Sequence, residues 1–248
     1  MKLRTPALAI YLMAGDGLPD AAAAAVEAGA TAIEVGIPFS DPLADGPTIQ
    51  RAAEAALAAG MTPPRCLQAI AATRARLGDD VPLIPMTYAA IVERYGIARF
   101  CADAAGAGAN GLIVADVPPD DSDDLQTECA ANGIDLVQLV ALTSVDARLA
   151  MACRASRGFI YVVSAIGTTG AREDLDVERL RGLLARVRGH AVELPLLCGF
   201  GVSRAAQVRD LRAAGADGVI VGSAAIAALE SGGVEGLGEL VASLAGGL

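Results

Sequence analysis

Along the whole chain, short and nearly unbroken apolar runs alternate with stretches of helical periodicity. The runs are Leu8–Met13, Ala32–Val35, Leu83–Tyr88, Gly111–Val114, Leu136–Val140, Phe159–Val163, Leu196–Cys198 and Val219–Val221. Apolar residues at successive positions, without polar alternation, fit parallel strands covered on both faces. Between and after them the pattern predicts helices over Pro19–Ala28, Pro63–Leu77, Ile97–Ala107, Asp121–Ala131, Val145–Ala155, Val177–Val187 and Ser203–Ala214. Two more follow, Ser223–Glu230 and Val234–Ala245. The opening "MKLRTPALAIYLMAGDG" superficially resembles a signal peptide, but its apolar run is short and contains aromatic and branched residues. It reads as a first buried strand.

Three helix-to-strand connections repeat: "EAGATAIEVG", "GAGANGLIVAD" and "AAGADGVIVGS". Each closes a helix on Ala–Gly–Ala, with Gly29, Gly108 or Gly215 suited to a left-handed cap, and then enters a buried strand. Alternating β–α units with no linker-like or low-complexity segment predict a single-domain α/β fold, a (β/α)8 TIM barrel over residues 1–248. A doubly wound open sheet is the competing architecture. Superposing the repeats puts Glu34 where the other copies carry Ile113 and Ile220. A carboxyl group thus occupies a position that the repeat reserves for a core side chain.

Composition narrows the chemistry. A net charge of −10 lacks the basic face that nucleic acid requires. No apolar stretch free of glycine and charge approaches the ~20 residues of a membrane span. The five cysteines are dispersed with no CxxC pair, which reads as reduced packing residues in a cytoplasmic protein. Lys2 is the only lysine and His190 the only histidine, in a helix-to-strand connector. A Schiff-base lysine, a Ser–His pair and a histidine-bound metal are therefore disfavoured.

On a barrel, the strand C-termini converge on one mouth, where active sites lie. Glu34 sits near the end of the second strand and Asp45 on the Gly- and Pro-rich loop after it. Tyr88 ends the third strand, Tyr161 lies in the sixth, Tyr11 in the first, and Phe200 follows the seventh. A carboxyl group among apolar neighbours should have a raised pKa and trade protons near neutrality, while Asp45 on a polar loop should stay ionised. The bland alternative is that Glu34 pairs with an arginine and Asp45 shapes a turn. "CGFGVS" (Cys198–Ser203) and "VGSAA" (Val221–Ala225) follow the last two strands, where barrels often hold phosphate on backbone N–H groups and a helix N-terminus. "GTTG" (Gly167–Gly170), after the sixth strand, is placed to close over the same ligand.

"IEVGIPFSDPLADGPTIQ" closely resembles the signature of the tryptophan synthase α subunit family, and "MTYAAI", "GLIVADVP", "GFIYVVS", "GTTG", "GFGVS" and "VGSA" continue the similarity in order. The resemblance implies a (β/α)8 barrel that cleaves indole-3-glycerol phosphate to indole and glyceraldehyde 3-phosphate without a cofactor. By matched position it implies Glu34 as general acid/base, Asp45 as the carboxylate on the indole N–H, and Tyr161 as an active-site tyrosine. It also implies Tyr88 as the substrate-site tyrosine that ends the third strand, Tyr11 and Phe200 as indole-pocket aromatics and Thr169 as a lid residue contacting the aspartate. Gly170, Gly201, Gly222 and Ser223 would form the phosphate cradle. A pyridoxal-phosphate-dependent β subunit is the implied partner. Ala90 stands where members commonly have asparagine, and Ala165–Ile166 where polar residues are common. Those departures motivate a second reading, a stand-alone indole-3-glycerol phosphate lyase. A third is a catalytically idle homologue that only binds ligand or partner.

Overall fold

In the computed structural model, which describes residues 1–164, 176–191 and 193–248, the apolar runs pair side by side. The strands are β1 (Ala7–Met13), β2 (Ala32–Gly36), β3 (Leu83–Thr87), β4 (Gly111–Val114), β5 (Asp135–Ala141), β6 (Ile160–Val163), β7 (Leu196–Gly199) and β8 (Gly218–Val221). They form a closed parallel barrel in chain order, β8 returning to β1 through pairs such as Ala9↔Ile220. The helices among the described residues are α1 (Leu18–Glu27), α2 (Pro47–Ala58), α3 (Pro63–Leu77), α4 (Ala89–Tyr95) and α5 (Ile97–Gly106), then α6 (Asp123–Ala131), α7 (Asp146–Ala155), α8 (Val177–His190), α9 (Ala205–Ala213) and α10 (Ser223–Ala245). None is long and apolar enough to cross a membrane.

The continuous hydrophobicity of each strand serves two separate cores. Successive side chains point to opposite faces. In β1, Leu8, Ile10 and Leu12 join the layer between strands and helices, while Ala7 and Ala9 join the barrel interior with Ile113, Phe159, Leu197 and Ile220. The same alternation sends Ile33 and Val35 outward and turns Glu34 inward. All five cysteines are buried and free. Phe159 is fully buried in the interior cluster, and truncating such a ring to alanine costs about 3–5 kcal/mol.

Three helices depart from the sequence expectation. The segment read as loop after Asp45 becomes α2 at Pro47, because proline fits the first helical turn as readily as a turn. Only Ile49 and Ala53 are buried in it. The short α4 starts directly after Tyr88, and its first N–H, on Ala89, donates to the Asp116 carboxylate at 2.7 Å, a cap supplied from the loop after β4. The two C-terminal helices expected from the pattern form one element broken at Gly233, whose φ of 60° interrupts the helical path.

Candidate active site

Glu34 is 1 % exposed, and its Oε2 has no hydrogen-bond partner among the described residues. Loss of hydration, reinforced by the negative charge of Asp45, pushes its pKa from 4.5 up to about 8. Among the described residues no cation contributes to that balance, so none of their arginines pairs with Glu34. Near neutral pH the carboxyl group is therefore mostly protonated and able to donate.

Asp45 is half-buried on the loop between β2 and α2. Desolvation raises its pKa, while a hydrogen bond donated by the Tyr88 hydroxyl lowers it. Packing takes this loop carboxylate partly out of water, and Tyr88 supports its charged form. Tyr88 also accepts the Ala44 N–H at 3.4 Å, and its ring lies 5.3 Å from that of Phe39. Gln50 from α2 donates to the Asp45 carbonyl at 2.8 Å, tying the loop to the helix that the sequence reading missed.

Tyr11, directly opposite Glu34 in the β1–β2 register, and Tyr161 on β6 complete the interior layer. Burial and the nearby carboxylates raise both phenol pKa values, so both hydroxyls stay protonated. Space for each comes from a glycine. A Cβ on Gly36 would lie 1.9 Å from the Tyr11 hydroxyl oxygen, and one on Gly199 would lie 2.2 Å from that of Tyr161. Phe200 stacks edge-on against Tyr161 at 6.0 Å between ring centres. Its φ of 74° is unusual for a residue with a bulky side chain, a strain that clusters at functional sites.

These groups surround one pocket at the C-terminal end of the barrel strands. Its wall brings together Tyr11, Glu34, Asp45, Tyr161, Phe200, Gly201, Gly222 and Ser223 of the sequence-derived set. Gly222 is the N-cap of α10 and Ser223 its first residue, so unpaired helical N–H groups face this end of the cavity. Tyr88 is placed differently from the expectation. It does not line this pocket but sits behind Asp45, in an adjoining cavity with Phe39, Pro38 and Met13. Its hydroxyl is turned toward the loop by Ala44 and Asp45. Thr169 and Gly170 lie outside the described residues.

Ile49, Met86, Val202, Ile220 and Ala224 also line the pocket and were not singled out from the sequence. Ile220 was nonetheless visible as the repeat partner of Glu34, whereas Gly36 and Gly199 fall one residue beyond the apolar runs and join the strands only in the fold. Met86, Val202 and Ala224 lie within the quoted stretches "MTYAAI", "CGFGVS" and "VGSAA" without having been picked out individually. Among the described residues, no three His, Cys, Asp or Glu side chains gather as a metal site.

Residues 1–242 match the sequence family described as the tryptophan synthase alpha chain. The chain is 47% identical over 230 residues to the tryptophan synthase alpha chain of Methanosarcina mazei, covering 91% of this chain and 82% of that one. It is 50% identical over 208 residues to that of Gluconacetobacter diazotrophicus, covering 82% and 73% respectively. Among solved structures, it superposes on tryptophan synthase of Mycobacterium tuberculosis with a TM-score of 0.88 and 41% identity, covering 97% of this chain and 91% of the other. Tryptophan synthase subunit alpha from Legionella pneumophila superposes with a TM-score of 0.87 at 30% identity, covering 97% and 92%. The chain therefore belongs to the tryptophan synthase alpha chain family.

Proposed function

We propose that this protein cleaves indole-3-glycerol phosphate to indole and glyceraldehyde 3-phosphate, with Glu34 moving both protons. The observation that carries the assignment is a buried carboxyl group, its Oε2 unpaired, facing a pocket shared with a second carboxylate and aromatic rings. A retro-aldol cleavage needs an electron sink, and the indole ring provides one. Glu34, protonated at rest, gives its proton to C3 of the indole, and the resulting cation carries its charge toward the ring nitrogen. Asp45, kept anionic with help from Tyr88, stabilises that charge. Glu34, now a carboxylate, takes the proton of the hydroxyl on the carbon attached to C3. The C–C bond breaks, its electron pair restores the indole, and the hydroxyl-bearing carbon becomes the aldehyde. The acid ends the cycle protonated, as it began, so atoms and charge balance without a further reactant.

The aromatic walls of Tyr161 and Phe200 suit a flat heterocycle, and the Gly201, Gly222 and Ser223 end suits the phosphate. In this reading the indole moves on to a pyridoxal-phosphate-dependent β subunit docked at the barrel mouth. Two large apolar side chains support such a surface, Leu43 at 74% exposure after β2 and Val145 at 65% after β5. The test is indole release from indole-3-glycerol phosphate by the purified chain, alone and with a tryptophan synthase β subunit. Release that rises on adding the partner is expected. Undiminished release with no stimulation selects the stand-alone lyase, and no release under either condition rejects the enzyme.

A further inference from the structure

We propose that Ser164 is a positioning residue that aims the backbone at the phosphate end of the pocket, an inference resting on the substrate assigned above. Ser164 directly follows β6 and is 3 % exposed. Its N–H donates to the Gly199 carbonyl at 2.9 Å, which satisfies that oxygen from the main chain. Its hydroxyl lies close to the same carbonyl and 2.5 Å from the carbonyl of Phe200. A carbonyl oxygen can accept two bonds, so the Gly199 oxygen shares this hydroxyl with Phe200, whose carbonyl the Ser164 side chain anchors.

That bond has a directional consequence. In a planar trans peptide, C=O and N–H point in opposite directions. Anchoring the Phe200 carbonyl on a buried hydroxyl turns the N–H of Gly201 the other way, and Gly201 lines the pocket. No described residue takes that N–H as a hydrogen-bond partner. Phe200 and Gly201 both have positive φ, 74° and 86°. For Phe200 the conformation is costly, since its Cβ crowds the backbone there. The Ser164 hydroxyl supplies the compensating bond, and it holds the Phe200 ring against Tyr161 by the same means. A serine on the neighbouring strand end thus sets both the anion-facing amide and one wall of the ring site, without touching substrate.

The experiment measures steady-state cleavage of indole-3-glycerol phosphate and the affinity for inorganic phosphate, followed by 31P NMR, in wild type, Ser164→Ala and Ser164→Thr. Ser164→Ala should raise KM about tenfold and weaken phosphate binding by a similar factor, leaving kcat within about threefold, because the acid and its partner are untouched. Ser164→Thr, which keeps the hydroxyl, should restore both affinities. A Ser164→Ala protein with wild-type KM and phosphate affinity overturns the inference, as does a fall confined to kcat. If Ser164→Ala does not fold, Ser164→Cys, whose thiol donates weakly, must show the same loss of phosphate affinity in smaller measure, and wild-type affinity there is equally fatal. Should wild type release no indole, the substrate assignment fails, while the phosphate titrations still judge the role of Ser164.

Discussion

Replacing Glu34 with glutamine should make the protein more stable, by an amount that depends on pH. In the unfolded chain the carboxyl group ionises near its ordinary value of 4.5, whereas in the fold it holds its proton to about 8. Because the folded pKa is the higher, protonation favours the native state: the contribution is complete below pH 4.5 and is lost progressively as pH rises to 8. A shift from 4.5 to about 8, at about 1.4 kcal/mol per unit, makes the penalty about 5 kcal/mol above pH 8. The same relation gives about 3 kcal/mol at pH 7 and about 1 kcal/mol at pH 5. Glutamine has nearly the same shape and never ionises, so Glu34→Gln escapes the penalty. Urea denaturation of both proteins at pH 5, 7 and 8.5 should show a stability gap that opens with pH in favour of the variant. A gap that is flat across this range, or a variant that is uniformly weaker, would refute the reasoning, since it would mean that the native carboxyl group titrates like a solvated one.

Three further substitutions probe the surroundings of the acid. Gly36→Ala places a Cβ 1.9 Å from the Tyr11 hydroxyl, so the ring must move; a stability loss of about 1–3 kcal/mol in denaturant and at least tenfold slower indole release are expected, and wild-type values in both would remove the steric argument. Tyr88→Phe deletes the donor that favours ionised Asp45, so the Asp45 pKa rises and the acidic limb of the kcat/KM profile should move to higher pH; an unmoved limb contradicts the pairing. Gly222→Ala meets no atom closer than 3.6 Å and has an unstrained backbone, so thermal stability should stay level or rise slightly, while the added methyl at the helix start raises KM; an unchanged KM removes Gly222 from the ligand cradle.

Much of the barrel was legible because its strands are buried on both faces and its connections repeat. Helix ends at Gly29, Gly108 and Gly215 all have positive φ, and the strands that follow begin within a residue of where the apolar runs begin. The repeat also exposed Glu34, since a core position that changes from isoleucine to glutamate is visible without coordinates. What stayed hidden depended on contacts distant in sequence. The cap of α4 on Ala89 comes from Asp116, on the loop after β4. Tyr88 looked like a wall of the substrate pocket because it ends a strand at the mouth. Only the fold shows its hydroxyl engaged with Asp45 and Ala44, behind the cavity. The role of glycine as a space for a tyrosine ring, at Gly36 and Gly199, is likewise a property of neighbouring strands and leaves no mark in the local pattern beyond an out-of-place small residue.

The most direct test of the account is the rate of indole release from indole-3-glycerol phosphate by Glu34→Gln, compared with wild type at neutral pH and with both proteins verified as folded. If one buried carboxyl group carries both protons, the variant should lose activity by about 10²- to 10⁴-fold. A Glu34→Gln protein that releases indole at the wild-type rate would contradict that claim.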